Sequence, residues 1–265
     1  MPTPHTAAFI DALRAAFAAH ADPLRAGEMQ AYMKSALPFH GIPAPLRRRL
    51  SAEVVRAHPA PDAQALAATM QALWRTARYR EERYAAMELA RVGSHARLQA
   101  GLGLLPVFEE MIVSGAWWDY CDDISGHALA GLLARHPREM KPRLRRWARG
   151  ADLWLRRAAM LCQRGLGADS FDARLLYDTV LPSIGNGRFA GEFFIRKGIG
   201  WALRERSYAA PDEVAAFCRE YAARGAAGDG QARGGKPGRK RVNDSGQQKQ
   251  GHGHGHGQGQ EPKGG

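Results

Sequence analysis

Arg83-Tyr84-Ala85-Ala86-Met87 recurs 73 residues later as Arg156-Arg157-Ala158-Ala159-Met160. Two related segments extend the series, Cys121-Asp122-Asp123-Ile124 and Arg196-Lys197-Gly198-Ile199, so that the four starts follow at intervals of 38, 35 and 40 residues. Periods of this length are typical of stacked helical units, each of which packs on its neighbours along the chain. Chance similarity among alanine-rich helices is the alternative.

The recurrence falls in the range of HEAT-type helical pairs, which stack into a curved solenoid with a concave face. We therefore predict an all-α, HEAT-like helical-repeat solenoid with a concave basic groove. In this register Asp122, Arg157 and Lys197 occupy equivalent positions in successive inner helices. The three side chains are then expected to line one groove.

Residues 1–224 show apolar residues at a period near 3.6, with breaks at Pro and Gly and no alternating β-branched run. Asp152 and Ser170 are predicted N-caps, and Pro61 and Pro211 suit first-turn positions. The predicted helices cover Thr6–His20, Ala26–Ala36, Ala44–Ala57, Pro61–Ala77, Glu81–Val92, Leu102–Ser114, Trp117–Ala134, Arg138–Ala148, Asp152–Arg164, Ser170–Ser183, Gly191–Ser207 and Pro211–Ala223.

The composition indicates a cytoplasmic protein with a polyanionic partner. The 265 residues include 38 Lys and Arg against 26 Asp and Glu, a net charge of +12. Three cysteines without a CxxC pair support neither a disulfide framework nor a zinc site. The N-terminus lacks the pattern of a signal peptide, and no apolar run has the ~20 residues of a membrane helix.

Residues 225–265 form the second predicted region, a disordered tail rich in Gly, Lys, Arg and His, following a folded domain of residues 1–224. The tail contains no Ile, Leu, Met or aromatic residue, and seven Lys and Arg face three acids. Its run from Gly251 to Gly257 alternates Gly and His, which could chelate a metal or simply be a solvated low-complexity tract. We predict neither a metal nor another cofactor.

Trp117-Trp118-Asp119-Tyr120-Cys121-Asp122 is the most informative stretch for function, because a helix places an indole and a carboxylate at i and i+4. A cationic group could be held between the ring face and the negative charge. On a helical wheel Trp118 lies near Asp122 and Gly126, at the edge of a site. The core side of the same wheel carries Trp117, Cys121, Ile124 and Ala128.

The helix around Trp201 combines an indole with positive charge. Phe193, Lys197, Trp201 and Arg204 share the face opposite Ile195 and Ala202. Such a face suits nucleic acid, since phosphates meet the charges and a sugar or base packs on the ring. A helix buried on both sides between solenoid neighbours is the alternative.

Arginines elsewhere extend the basic surface. Arg157 and Arg164 share one face of their helix, where Arg157 could bind phosphate or pair with Asp122. The runs Arg47-Arg48-Arg49 and Arg143–Arg149 are predicted to be solvated helix faces, some of which could contact flanking duplex.

Several ordered motifs resemble the AlkD-type DNA alkylation-repair glycosylases, a HEAT-like family, over residues 26–224. The motifs are Tyr32-Met33-Lys34, Pro38-Phe39-His40-Gly41-Ile42, Trp117-Trp118-Asp119-x-x-Asp122, Trp154-Leu155-Arg156-Arg157-Ala158-Ala159 and Phe193-Phe194-Ile195-Arg196-Lys197-Gly198-Ile199-Gly200-Trp201-Ala202-Leu203-Arg204-Glu205. Asp123, Arg196, Gly198 and the tail depart from the family pattern, which bears on catalytic strength and substrate range more than on the reaction.

The resemblance implies Asp122 as the catalytic carboxylate, Trp118 and Trp201 as an aromatic clamp, and Arg157 as the partner of Asp122. Tyr32 and Arg204 match positions that touch DNA in the family, and Lys197, Arg47 and Arg48 join them as predicted DNA contacts. The implied reaction is hydrolysis of cationic N3- or N7-alkylated purines from duplex DNA by a monomer, without a base-flipping pocket. The alternatives are a non-catalytic module that binds damaged or branched DNA, a protein-binding scaffold, and Schiff-base chemistry at Lys197.

Overall fold

The computed structural model describes residues 3–185 and 187–232, without the side chains of 99–100, 168 and 222–232. Over these residues the chain is all α and contains no strand. The α-helices are α1 (Pro4–Ala19), α2 (Pro23–Met33), α3 (Ala44–Ala57), α4 (Ala63–Arg75), α5 (Arg80–Glu88), α6 (Leu105–Gly115), α7 (Trp118–Asp123), α8 (Ala130–Arg135), α9 (Pro137–Arg149), α10 (Leu153–Leu161), α11 (Ala173–Val180), α12 (Phe193–Ala209) and α13 (Pro211–Ala232). Short 3-10 segments cover Leu89–Arg91, Gly93–Ala100, Leu102–Leu104, Ala168–Ser170 and Leu181–Ser183.

Helix starts agree with the sequence signals in part. Asp152 caps α10, as predicted, by accepting from the Leu155 amide at 2.8 Å, and Pro211 opens α13. Ser170 is not the cap of α11, because Asp172 accepts from the Leu175 amide at 3.0 Å instead. Pro61 lies outside α4, which Asp62 caps. A carboxylate that reaches the first-turn amides therefore overrides the neighbouring Ser or Pro signal.

Ion pairs connect residues that are one repeat apart. Arg47 pairs with Glu88, Arg80 with Asp119, Arg145 with Asp178 and Arg157 with Asp122, at separations of 41, 39, 33 and 35 residues. These separations lie close to the intervals of the recurring sequence segments, and Asp122 and Arg157, which hold equivalent positions in neighbouring segments, lie side by side. The all-α helical-repeat fold is thereby confirmed.

A π-helical turn, Ile124–Leu129, joins α7 to α8 where the sequence predicts one regular helix. The Ala130 amide donates to the Ser125 carbonyl, five residues back, and the Ser125 hydroxyl donates to the Cys121 carbonyl. At this turn the Gly126 carbonyl approaches the chain after α10 so closely that a Cβ on Gly165 would lie 2.6 Å from it. The turn thus brings Asp122 beside α10.

The apolar side of α7 and of the π-helical turn is buried, as the helical wheel predicts: Cys121 of the helix and Ile124 and Ala128 of the turn belong to the main hydrophobic core. A smaller second core joins α10, α11 and α12 through Met160, Leu161, Leu176, Val180, Ile195 and Ala202. The helix that carries Trp201 is consequently packed directly against the helix that carries Arg157.

The segment between α2 and α3 is held by one buried carboxylate. Glu81, which is 0% exposed, accepts from the backbone amides of His40, Gly41 and Ile42 at 2.9–3.2 Å. Gly41 has φ of 83°, and a Cβ there would lie 2.1 Å from the Asp22 carbonyl. Only glycine meets both demands, which explains the His40-Gly41-Ile42 motif on structural grounds.

The packed unit that contains these helices ends at Arg219, within α13. Helix α13 itself continues to Ala232, eight residues past the predicted tail boundary. The remaining predicted tail and its His-Gly run lie outside the described residues. Within the described part of the chain, no helix is both long and apolar enough to cross a membrane.

Candidate active site

Three aspartates of α7 pair with three different arginines. Asp119 accepts two hydrogen bonds from Arg80, and Asp123 lies 2.9 Å from Nη2 of Arg91. Asp122 pairs with Arg157. The acidic cluster is therefore distributed among separate ion pairs, each reaching a different neighbouring segment.

The Asp122–Arg157 pair is bidentate and almost fully enclosed. Nε of Arg157 donates to Oδ1 at 2.7 Å and Nη2 donates to Oδ2 at 2.8 Å, while the two side chains are 5% and 10% exposed, Arg157 being the more buried. Nη1 of Arg157 donates to the Phe194 carbonyl at the start of α12. One guanidinium thus ties α7 to α12, and both oxygens of Asp122 have a defined position.

Burial raises the pKa of the Asp122 carboxyl above its usual value, while the hydrogen bonds and charge of Arg157 and the charge of Arg164 act in the opposite direction. The bidentate contact needs both oxygens as acceptors, which requires the ionised form. A desolvated but oriented negative charge interacts strongly with positive charge that forms nearby.

A cavity of 500 Å³ opens beside this carboxylate. Its lining consists of Asp122, Asp123, Gly126, His127, Arg164 and Gly165. His127 lies 3.6 Å from Asp123, and burial together with the charge of Arg91 lowers its pKa. The π-helical turn supplies Gly126, which has no side chain, as part of the cavity wall. The turn therefore helps to shape the cavity.

Trp118 and Trp117 differ in their surroundings. Trp118 begins α7, one helical turn before Asp122, and is half-buried against the main core. Trp117 precedes the helix, packs edge-on to Phe194 with ring centroids 5.5 Å apart, and its buried indole Nε1 has no partner. The core assignment predicted for Trp117 agrees with this packing, and Trp118 keeps a partly exposed ring.

Trp201 is half-buried against the second core. Its surroundings are therefore intermediate between the two alternatives of the sequence analysis, an indole on a face that binds nucleic acid and an indole buried between neighbouring helices. Its indole Nε1 donates to Glu205 at 3.1 Å. The Arg164 guanidinium lies over its ring, 3.4 Å from the ring centroid. The ring is therefore neither free nor enclosed, because an arginine of the cavity already stacks on it.

The predicted DNA contacts are exposed with one exception. Tyr32 is 78% exposed, and Lys197 and Arg204 are exposed on α12 without contact to Asp122. Arg47 is wrongly predicted as a solvated residue: it is 6% exposed, hydrogen-bonded to buried Glu88, and stacked on Tyr84. The sequence signal failed because the acid that attracts Arg47 lies 41 residues away.

Arg48 shares Glu88 with Arg47 but leaves more than half of its side chain exposed. It lines a second cavity, of 330 Å³, together with Tyr32. Asp123 belongs to the walls of both cavities. Three of the predicted DNA contacts, buried Arg47 among them, therefore line a cavity whose wall includes Asp119 and Asp123. Lys197 and Arg204 are not in the lining of either cavity.

Sequence reasoning missed Arg80 and Tyr84, which enclose Asp119. Tyr84 donates to Oδ2 of Asp119 at 2.6 Å, and burial beside that carboxylate raises the pKa of the tyrosine. It also gave Arg164 no role beyond its helix face. The repeat interval was the available signal, since Arg80 precedes Asp119 by 39 residues, close to the separation of Asp122 and Arg157.

Comparisons with known proteins point to DNA repair. Residues 13–228 match the family model for DNA alkylation repair enzymes. Among solved structures the chain is similar to a predicted DNA alkylation repair enzyme from Enterococcus faecalis, at 29% identity and a TM-score of 0.65, over 76% of this chain and 89% of that one. No curated protein sequence gives a match.

Proposed function

The chain belongs to the DNA alkylation repair enzyme family, and from this premise we propose that it hydrolyses the N-glycosidic bond of cationic alkylated purines in duplex DNA. The substrates of this proposal are purines alkylated at N3 or N7, and the product is an abasic site. Hydrolysis of this kind needs water and no cofactor. The proposed enzyme is a monofunctional glycosylase that acts as a monomer.

The observation that carries the proposal is the oriented, desolvated Asp122 carboxylate on the wall of the 500 Å³ cavity. An N3- or N7-alkylated purine is a cation, and breaking its bond to the sugar passes through an oxocarbenium-like state. A preorganised negative charge stabilises that state more than the ground state, as carboxylates do at other glycosidic bonds.

Arg157 has a positioning role in this proposal. Its two hydrogen bonds hold the Asp122 carboxylate in one orientation, and its third, to the Phe194 carbonyl, holds the arginine itself. Because the positions of the charges are set before the substrate arrives, little reorganisation is needed during bond cleavage. Asp122 can also orient the attacking water.

Trp118 and Trp201 are the proposed aromatic contacts with the sugar and its attached phosphates, through stacking and cation–π interaction. Tyr32, Arg48, Lys197 and Arg204 supply the proposed contacts to the duplex, since they are exposed and, apart from the tyrosine, cationic. Arg47 is left out of this set because it is buried in its ion pair with Glu88.

The direct test is to incubate the protein with methylated duplex DNA and to measure free 3-methyladenine and 7-methylguanine. We expect release well above the rate without protein. Release at the uncatalysed rate, together with preferential binding of damaged or branched duplex, would replace the enzyme by the non-catalytic DNA-binding module. A stable covalent product after borohydride reduction would instead indicate Schiff-base chemistry at Lys197.

A further inference from the structure

We infer that Arg164 is a ligand for a backbone phosphate of the bound DNA, presented to the cavity by the ring of Trp201. This inference rests on the proposed function and adds a residue that positions the substrate. Arg164 follows α10, its amide donating to the Leu161 carbonyl at 3.1 Å, and its side chain forms part of the wall of the 500 Å³ cavity.

The stacking contact sets the orientation of this guanidinium. Its central carbon lies 3.4 Å from the centroid of the Trp201 ring, and the indole is held in turn by the hydrogen bond from Nε1 to Glu205. Stacking uses the flat face of a guanidinium and leaves its N–H groups in the plane free to bind an anion. The Trp201 ring thus holds the N–H groups along the edge of the guanidinium in one orientation before an anion binds.

Arg164 lacks the acidic partner that its neighbours have. Arg157 is paired with Asp122 and Arg91 with Asp123, whereas within the described residues Arg164 forms no ion pair, and its Nη1 is shielded from solvent without a hydrogen-bond partner. An unpaired, half-buried charged donor is costly, and the cost is relieved when an anion arrives.

The charges around the cavity favour that anion. The two aspartates on its wall are compensated by their own arginines, and the lowered pKa of His127 keeps the imidazole neutral at neutral pH. Asp122 and Glu205 act on Arg164 electrostatically but form no ion pair with it, so among the described residues of the lining Arg164 is the cation without a bound carboxylate. Gly126 leaves space beside it, because a Cβ there would still be 4.0 Å from Nη1.

One nucleotide would satisfy both features of the cavity. Its phosphate is an anion that matches the fork of Arg164, and the sugar attached to it develops the positive charge that Asp122 meets. By holding the phosphate, Arg164 would set the distance between the sugar and the carboxylate. This is a positioning role, exerted through the substrate backbone.

The test is a double-mutant cycle between the protein and the DNA. The probe is a short duplex with one uncharged abasic-site analogue, in which the phosphate 5′ or 3′ of that site is replaced by a neutral methylphosphonate, one at a time. Affinity is measured at several salt concentrations for the wild type and for Arg164→Gln. The matched control is Arg56→Gln, which removes an exposed arginine near the end of α3.

We expect Arg164→Gln to bind the fully charged duplex about tenfold or more weakly, with the log K versus log salt slope smaller by about 0.9. At one of the two positions the methylphosphonate should weaken wild type and leave Arg164→Gln unchanged. Arg56→Gln should remain sensitive to the same replacement. Arg164→Lys should recover the salt slope but little of the lost affinity, because lysine keeps the charge without the fork.

The inference would be overturned if the methylphosphonate weakened binding by the same factor for Arg164→Gln as for the wild type, at both positions. Tighter binding by Arg164→Gln would also overturn it and would mean that the guanidinium merely occupies the ring of Trp201. Thermal melting establishes that each variant is folded. Base release is assayed separately, so coupling without release would reject the proposed reaction alone, and release without coupling would reject the role of Arg164 alone.

Discussion

Gly198 lies against the guanidinium of Arg157, so closely that a Cβ on the glycine would be 3.2 Å from Nη1. The same Nη1 donates to the Phe194 carbonyl one turn earlier in α12, and the other two nitrogens of the group, Nε and Nη2, donate to Asp122. The glycine that departs from the family pattern therefore has a packing reason. It lets the ion pair and the helix backbone meet.

Gly198→Ala is expected to lower base release. The added methyl pushes a guanidinium whose three nitrogens each already donate a hydrogen bond, so the Asp122 carboxylate loses its orientation. The control is Gly200→Ala on the same helix, where a Cβ meets nothing within 4 Å. Gly200→Ala should stabilise the protein by up to about 1 kcal/mol through helix propensity, with unchanged activity.

The comparison is made by thermal melting and by the rate of 3-methyladenine release. Gly198→Ala with wild-type activity would mean that Arg157 shifts without disturbing Asp122. A fall in activity for both variants would point to the flexibility of α12 rather than to this contact.

Asp122→Asn is expected to reduce base release about 10²–10³-fold, because the amide keeps the shape and loses the charge that meets the oxocarbenium-like sugar. Binding to an uncharged abasic duplex should remain close to wild type. Single-turnover release and equilibrium binding are measured on the same preparation. A loss of less than about tenfold would show that Asp122 is not the catalytic carboxylate.

Asp119→Asn is the matched comparison, since it also breaks a buried arginine–aspartate pair of α7. The change leaves Arg80 without its charged partner. It also exchanges the carboxylate that accepts from the Tyr84 hydroxyl for a neutral amide. We expect the free energy of unfolding to fall by about 3–5 kcal/mol, with near-normal release per folded molecule. Denaturant unfolding and the release assay separate the two effects.

Asp119 and Asp122 are expected to differ in what they contribute. The helical wheel indicates little effect from Asp119 because it lies away from Trp118, which addresses catalysis and not stability. An equal loss of catalysis in Asp119→Asn and Asp122→Asn would indicate that the whole acidic cluster acts as one unit.

The pH dependence of base release should follow the Asp122 carboxyl. Burial raises its pKa, and the reaction needs the ionised form. On acidification, the rate of enzyme-catalysed release should therefore begin to fall at a higher pH than it would with an exposed aspartate. Above that acidic limb of the pH profile the rate should reach its full value. Rates are taken relative to DNA alone at each pH. Arg164→Gln should move the limb to still higher pH, because the charge of Arg164 lowers this pKa.

The helices could largely be predicted from local periodicity, and the repeat interval made the pairing of Asp122 with Arg157 one of two roles open to that arginine, the one that the family resemblance also implies. Trp117, Cys121 and Ile124 were assigned to the core by the same reasoning. Arg47 was not, since its burial depends on Glu88 in another helix. A run of arginines looks alike in sequence whether its members face water or a distant carboxylate.

The π-helical turn at Ile124–Leu129 and the stacking of Arg164 on Trp201 were also beyond sequence reasoning. The turn arises from a hydroxyl that bonds backward and from the close approach of Gly126 to Gly165, a contact between separate segments. The wheel places Arg164 on the face of Arg157 but contains no information on the neighbouring helix. Features made by two elements need the tertiary structure.

Trp201→Ala should affect both stability and DNA binding, because the ring packs on the second core and carries Arg164. A half-buried indole with a cation–π partner contributes about 1–3 kcal/mol to the free energy of unfolding. Arg164 loses its platform in this variant and the sugar loses the ring itself, so Trp201→Ala should weaken binding of an abasic duplex at least as much as Arg164→Gln does, and the double variant should bind no more weakly than Trp201→Ala alone. Trp201→Phe keeps a flat ring and should retain most of the affinity.

A large fall in melting temperature with wild-type affinity in the folded fraction would reduce Trp201 to a core residue and leave Trp118 as the aromatic contact.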